Sequence, residues 1–318
     1  MKELCIGIDI GGTNTVLGVV DSEGNFAAEN SISTKKYKNI DDFIEALINC
    51  IQERLNSIKF NYVLKGIGIG APNGNYYNGT IEYAPNLNWN EIIPISDIIN
   101  KQFHVPVVLT NDANAAALGE MIYGAAKNLD NFIIITLGTG LGSGLVVNGK
   151  VVYGHDGFAG EIGHTIYDPN GRLCACGRKG CLETYASATG IKRTVIELLK
   201  NSESKSLLSK ISEQELNAKD IYEAAVKGDK IALEAFDYTA RILGLKLADS
   251  IAYTSPEAIF LFGGLALSGD YILKPTKKYM EENLLKIYKN KVRLELSGLM
   301  GKNAAVLGAA ALIWKEFE

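Results

Sequence analysis

The chain has 318 residues, 47% of them hydrophobic and 21% charged. That composition excludes a disordered or coiled-coil protein, and the length allows two domains of about 150 residues each. Its 32 basic and 36 acidic residues leave a net charge of −4 with no long run of one sign, which argues against a nucleic-acid surface but leaves anionic ligands open.

Glycine is the outlier. There are 33 Gly and only 7 Pro, where average usage predicts roughly 22 and 16. Such a surplus in an otherwise ordered chain marks backbone that comes close to ligands. No apolar stretch reaches the ~18 residues of a membrane span. Met1-Lys2 leads straight into a strand-like segment bearing Glu3 and Asp9, so the expectation is a cytoplasmic protein with no membrane and no nucleic-acid partner.

In chain order, Glu3 to Ile10 reads as a strand, Gly11-Gly12-Thr13 as a loop and Thr15 to Val20 as a returning strand. Phe43, Ile44, Leu47, Ile48, Ile51 and Leu55 follow the helical period behind a cap at Asp41 or Asp42. Buried strands are predicted at Lys65 to Gly70 and Val105 to Thr110. The second leads through Asn111-Asp112 into an Ala-rich helix, Ala113 to Tyr123. Phe132 to Leu137 is another apolar strand, followed by the glycine-studded loop Gly138 to Gly144. Asn148-Gly149 between β-branched runs then signals a hairpin. Strand, Gly/Thr loop and hairpin occur twice, Gly12 and Gly140 lying 128 residues apart, which suggests an internal duplication. Helices are expected at Ala218 to Val226, Ile231 to Tyr253 and Lys302 to Phe317, with strands at Ala258 to Phe262 and Val292 to Leu296. Alternating strands and helices make this an α/β protein.

Asp9-Ile10-Gly11-Gly12-Thr13 ends a strand with a carboxylate, two glycines and a hydroxyl, which lets backbone N–H groups approach phosphate and lets Asp9 hold a metal ion through water. The second loop doubles that signal. No Gly-x-x-x-x-Gly-Lys-Ser/Thr string is present, and Pro72 breaks the segment where a dinucleotide fingerprint at Gly66 to Ala71 would need a helix. No Gly-x-Ser-x-Gly elbow supports a hydrolase. His164, Cys174, Cys176 and Cys181 supply one imidazole and three thiolates within eighteen residues. That set suits a closed tetrahedral Zn²⁺ site with no open position, hence a structural one. Asp112 lies where a buried strand meets a helix, either as a cap or, at a strand's carboxyl end, as a general base. Glu161 and Glu183 flank the metal motif, where a fixed loop would hold them rigidly.

With these residues the chain resembles the ROK family (repressor, open reading frame, kinase) and within it the ATP-dependent glucokinases. The resemblance rests on Asp9 to Thr13, Ala84-Pro85-Asn86-Leu87 with Trp89, Asn111 to Ala115, and Leu137 to Gly142. Gly160-Glu161-Ile162-Gly163-His164, the Cys174 to Glu183 segment and Gly263-Gly264 complete it. It implies an actin-like, ribonuclease-H-type fold: a small domain of residues 1–112 with 302–318, a large one of 113–301, and the active site in the cleft between them. The last helix would pack back on the small domain, with Gly301 at the crossing. It also implies that Asp112 is the general base on a hexose 6-hydroxyl, while Asn86, Asn111, Glu161, His164 and Glu183 hold the sugar. His164 would serve both sugar and zinc. Asp9, Gly11, Gly12, Thr13, Thr139 and Gly140 would face the phosphates of Mg²⁺-bound ATP, and Gly263 and Gly264 the adenosine. A homodimer is expected. Glucose is the leading substrate, with N-acetylglucosamine, N-acetylmannosamine, mannose and fructose as alternatives. A non-catalytic sugar-sensing regulator is the rival class, set against eight residues ahead of Asp9 that leave no room for a helix-turn-helix. One departure stands out: a segment that often reads Gly-x-Pro-Gly in the family is Gly70-Ala71-Pro72-Asn73 here.

Overall fold

The computed structural model describes residues 1–201, 205–300 and 303–316. Its first sheet is built from β1 (Lys2–Ile10), β2 (Thr15–Val20), β3 (Phe26–Ile32), β4 (Tyr62–Gly70) and β8 (Val107–Thr110), in the order β3-β2-β1-β4-β8. Between β4 and β8 the chain forms a small sheet of β5 (Gly74–Asn75), β6 (Thr80–Glu82) and β7 (Ile92–Ile93) and a helix, α2 (Ile95–Phe103). β2 runs antiparallel to β1, whereas β4 and β8 run parallel to it. A central strand covered on both faces is largely apolar, and Leu4, Ile6, Ile8 and Ile10 on one face and Cys5 on the other are fully buried.

Helix α1 (Ile40–Asn56) covers one face with Phe43, Leu47 and Ile51, all fully buried. Its cap is Asn39, whose side chain accepts the Asp41 N–H at 3.0 Å. Asp41 and Asp42 sit instead in the first turn, where a negative charge favours the helix dipole. The other face carries α3 (Asp112–Tyr123) and α8 (Ala304–Glu316). A Cβ on Gly7 would lie 2.0 Å from the Val306 carbonyl and one on Gly68 1.8 Å from that of Ala309. Part of the glycine surplus is therefore spent on letting α8 lie directly on β1 and β4.

The second sheet contains β9 (Phe132–Leu137), β10 (Leu141–Val147), β11 (Lys150–Val151), β12 (Ala258–Phe262) and β13 (Arg293–Leu296), in the order β11-β10-β9-β12-β13. β10 is antiparallel to β9, and β12 and β13 are parallel to it. The two sheets thus share one strand order, the pattern expected of the duplicated hairpin. Strand β10 begins at Leu141, so the loop after β9 is shorter than the sequence suggested and ends at Gly140. Asn148 and Gly149 both have positive φ, 52° and 69°, as a type I′ hairpin requires. Helices α4 (Ala188–Asn201), α5 (Ala218–Val226), α6 (Lys230–Thr254) and α7 (Asp270–Asn283) complete this half.

The chain divides into two compact units: Met1–Asn128 with Val151–Gly160 and Gly301–Glu318, and Leu129–Lys150 with Glu161–Met300. Gly301, Lys302 and Phe317, named above, lie outside the described residues. Among the described residues no helix is long and apolar enough to cross a membrane.

Candidate active site

In the first unit, Asp9, Gly70 and Thr110 are lateral neighbours at the carboxyl ends of β1, β4 and β8, the edge of a parallel sheet where ligands bind. Thr110 feeds Asn111 and Asp112. Asn111, not Asp112, caps α3: its Oδ1 accepts the Asn114 N–H at 2.7 Å. The Asp112 carboxylate is thereby spared the capping role, although its Oδ1 accepts the Ala113 N–H at 2.8 Å. Desolvation raises the Asp112 carboxyl above the ordinary range, the hydrogen bond from Ala113 opposing it. Burial, and then the charge of Asp112, push Asp9 up to about 7. Two carboxylates that resist ionising together are a site for a proton or a hard cation. Beside them Gly11 closes the turn by donating its N–H to the Asn14 carbonyl at 3.0 Å. Gly12 packs so closely on Asn86 that a Cβ would lie 2.4 Å from its carbonyl oxygen. Thr13 and Asn86 are exposed.

In the second unit, β9 and β12 end side by side in Gly138-Thr139-Gly140 and Gly263-Gly264. The Leu265 N–H donates to the Leu137 carbonyl at 3.0 Å, and Thr189 Oγ1 to that of Thr139 at 2.7 Å. A Cβ at Gly138 or Gly264 would meet no protein atom within 4 Å, so the protein itself does not demand glycine there. Leu141 organises the acidic residues. Its N–H donates to Glu183 Oε2 at 3.1 Å, and a Cβ on Gly140 would lie 2.1 Å from that oxygen and push the carboxylate out of place. Its carbonyl backs Gly163, whose Cβ would approach it to 2.1 Å. Ser143, which the sequence reading passed over, accepts the Ile162 N–H on its hydroxyl at 3.1 Å and fixes the turn after Glu161. A small polar residue at a buried strand position was its only signal.

The ligand atoms of His164, Cys174, Cys176 and Cys181 lie within 4.8 Å of one another. Tetrahedral zinc with bonds near 2.3 Å sets sulfur atoms about 3.8 Å apart. Cys176 and Cys181 Sγ stand 3.6 Å apart, and Cys174 Sγ is 3.8 Å from His164 Nδ1. The residues therefore fit a structural zinc ion. Burial pushes the Cys174 thiol up to about 12, whereas hydrogen bonds from Arg178 outweigh burial at Cys176 and bring it down to about 6. His164 turns Nδ1 to the cysteines and Nε2 to Glu161 Oε2, 4.0 Å away, so one ring nitrogen faces the metal set and the other stays clear of it. Gly177 and Gly180 hold positive φ, 86° and 76°, in the turns of this loop.

A model of the ROK family matches residues 5–316. The chain belongs to the ROK family. It is 36% identical to the glucokinase of Halalkalibacterium halodurans, over 97% of this chain and 94% of that one, and 34% identical to that of Thermotoga maritima, over 97% and 96%. The ROK glucokinase of Streptomyces griseus, solved in complex with glucose and AMPPNP, superposes with a TM-score of 0.82 at 34% identity, covering 98% of this chain and 99% of that one. A ROK transcriptional regulator homologous to the E. coli MLC protein superposes at 0.89 with 28% identity, covering 99% of this chain and 78% of the regulator. The fold is accordingly the actin-like α/β fold of ROK sugar kinases.

Within this ROK chain, the departure at Asn73 has a local cause. Asn73 has φ 50°, a conformation that suits glycine and, after it, asparagine. Its Nδ2 donates to the carbonyls of Glu82 and Tyr83, at 2.9 and 3.3 Å. The side chain braces its own hairpin.

Proposed function

We propose that the protein is an ATP-dependent hexose kinase that makes glucose 6-phosphate from glucose, with Asp112 as the general base. The observation that carries this reading is the pair of proton-retaining carboxylates, Asp9 and Asp112, at the strand ends of a ROK chain whose second unit ends its strands in bare glycine. A base must hold a proton well enough to remove one from an alcohol as its oxygen attacks, and a carboxylate with a raised proton affinity suits that task. Asp112 takes the 6-hydroxyl proton, the hydroxyl oxygen bonds to the γ-phosphorus, and the bond to the β-phosphate oxygen breaks so that ADP leaves with its electron pair. Mg²⁺ bound with ATP would offset the phosphate charge, and the oxygen donors of Asp9 would suit it, which leaves Asp112 to the proton.

Asn86, Asn111, Glu161, His164 and Glu183 hold the remaining sugar hydroxyls, His164 through the ring nitrogen turned away from the cysteines. Gly12, Thr13, Thr139 and Gly140 receive the phosphates, and Gly263 and Gly264 leave room for the adenosine. Because the Gly11 N–H is committed to the turn, that residue shapes the first loop. Zinc keeps the Glu161 to Glu183 segment in one geometry and takes no part in the chemistry. The active form is a cytoplasmic homodimer.

The likeness to a transcriptional regulator favours a second reading, a sugar sensor that binds without turnover. A coupled ADP-release assay over glucose, mannose, fructose, N-acetylglucosamine and N-acetylmannosamine separates the two. The kinase reading expects Mg²⁺- and ATP-dependent turnover that is highest with glucose. Sugar binding without ADP release from any of them would replace it with the sensor.

A further inference from the structure

Arg172 stands two residues before the first cysteine of the metal cluster, and only 10% of its side chain is exposed. Its guanidinium uses every face. Nε donates to Glu197 Oε1 at 3.0 Å and Nη2 to Glu197 Oε2, a bidentate ion pair to α4. Nη1 donates to the carbonyls of Thr184 at 2.8 Å and Gly190 at 3.2 Å, and Nη2 to Thr194 Oγ1 at 3.0 Å. The group stacks on the Tyr185 ring, 4.6 Å from its centre. The Arg172 backbone is tied as well: its N–H donates to Tyr185 Oη at 3.0 Å, and its carbonyl accepts the Gly180 N–H at 2.8 Å.

Apart from the exposed Arg193 bond to the Leu173 carbonyl, the bonds around the cysteines stay within residues 164–184. Cys174 N–H donates to the Arg178 carbonyl, and Arg178 in turn to that of His164. A metal ion on His164, Cys174, Cys176 and Cys181 would tie the cysteines to the His164 turn, which Ser143 braces on β10, but would make no tie to α4. We infer that Arg172 is a positioning residue for sugar recognition. It rivets the metal loop to α4 and to Thr184, and so fixes the neighbouring Glu183 and, through the loop, His164.

Helix α4 does not depend on this clamp, since Ile191 and Val195 are fully buried in the core of the second unit. The second glycine loop keeps its own bonds from Ala188 N–H to the Gly138 carbonyl and from Thr189 to that of Thr139. Loss of the clamp therefore falls on Glu183 and His164 and spares the loop assigned to phosphate. Lysine cannot replace the fork, because a point charge with one donor direction at a time satisfies neither the bidentate pair nor the two carbonyls.

The inference takes its kinetic readout from the kinase reading, so the test also has an arm that needs no turnover. In Arg172→Lys and Arg172→Met, zinc should stay near one per chain and the ATP KM within about twofold, while the glucose KM rises roughly tenfold or more, the usual effect of losing a partner that orients a ligand group. Arg193→Ala, which removes an exposed bond from α4 to the Leu173 carbonyl, should change the glucose KM by less than about twofold. Hydrogen exchange of the amides of 171–184 should quicken in Arg172→Lys with zinc still bound. Equal losses in both KM values and in zinc would overturn the inference by making Arg172 a general stabiliser. An unchanged glucose KM in active variants would also overturn it, as would unchanged exchange. If the wild type turns over no hexose, exchange alone decides the clamp and the kinase reading is what fails.

Discussion

The two sheets share a strand order and differ in what stands at the carboxyl ends of their parallel strands. In the first, β1 carries Asp9 near its end and β8 leads to Asp112, carboxylates that burial, and at Asp9 also the charge of Asp112, keep from ionising freely. In the second, β9 and β12 lead into Gly138-Thr139-Gly140 and Gly263-Gly264, where glycine is required by no protein neighbour at Gly138 and Gly264. One frame has thus been used twice, once to hold reactive side chains and once to withhold side chains. On the proposed function, chemistry belongs to the first set of strand ends and ligand accommodation to the second.

The comparison breaks most sharply at Asp112. Asp112→Asn should lower kcat by at least about 10²-fold, the usual contribution of a general base, while calorimetry finds glucose affinity within about threefold. Near-normal kcat would remove Asp112 from that role. Next comes the metal loop: Cys176→Ser should lose the single zinc, found by elemental analysis, together with activity, and active metal-free protein would contradict the assignment. Glycines sharpen the contrast at smaller scale. Gly264→Ala places a methyl in open space, so its Tm should hold while the ATP KM rises roughly fivefold, about 1 kcal/mol of lost binding. Gly12→Ala drives a Cβ against the Asn86 carbonyl and should cost about 1–3 kcal/mol of stability.

A separate test is a pH dependence in ligand-free, Mg²⁺-free protein. Folded Asp9 keeps its proton up to about 7, whereas an unfolded aspartate releases it near 3.9. Between those values the folded state binds more protons, so stability must fall as pH rises. Asp9→Asn should remove the Asp9 share of that slope and leave that of Asp112, melting with the wild type at pH 3.5 and above it at pH 8. Parallel melting curves at all pH values would show that Asp9 carries no such strain.

Local features were legible in the sequence because they depend on neighbours a few residues away. The β1–β2 and β9–β10 hairpins, α1, α5 and α6 follow from periodicity and turn residues, and the metal cluster from spacing alone. Competition among adjacent polar residues was not legible: Asn39 caps α1 ahead of Asp41 and Asp42, and Asn111 rather than Asp112 caps α3. Nor were contacts between distant segments. Glu183 on the Leu141 N–H spans 42 positions, and Arg172 reaches Glu197 across 25, with no periodicity to announce either. Gly7 and Gly68 are glycines because α8, about 240 to 300 positions on, lies on them, and no nearby residue announces that contact.

The hydroxyl that receives the phosphate decides between a 6-kinase and any other activity. Phosphorus NMR of the reaction of the protein with Mg²⁺, ATP and glucose should show ADP and a single sugar phosphate at the 6-position, and 6-deoxyglucose in place of glucose should give no sugar phosphate. A phosphate on another hydroxyl, or equal ADP release with 6-deoxyglucose, would contradict it.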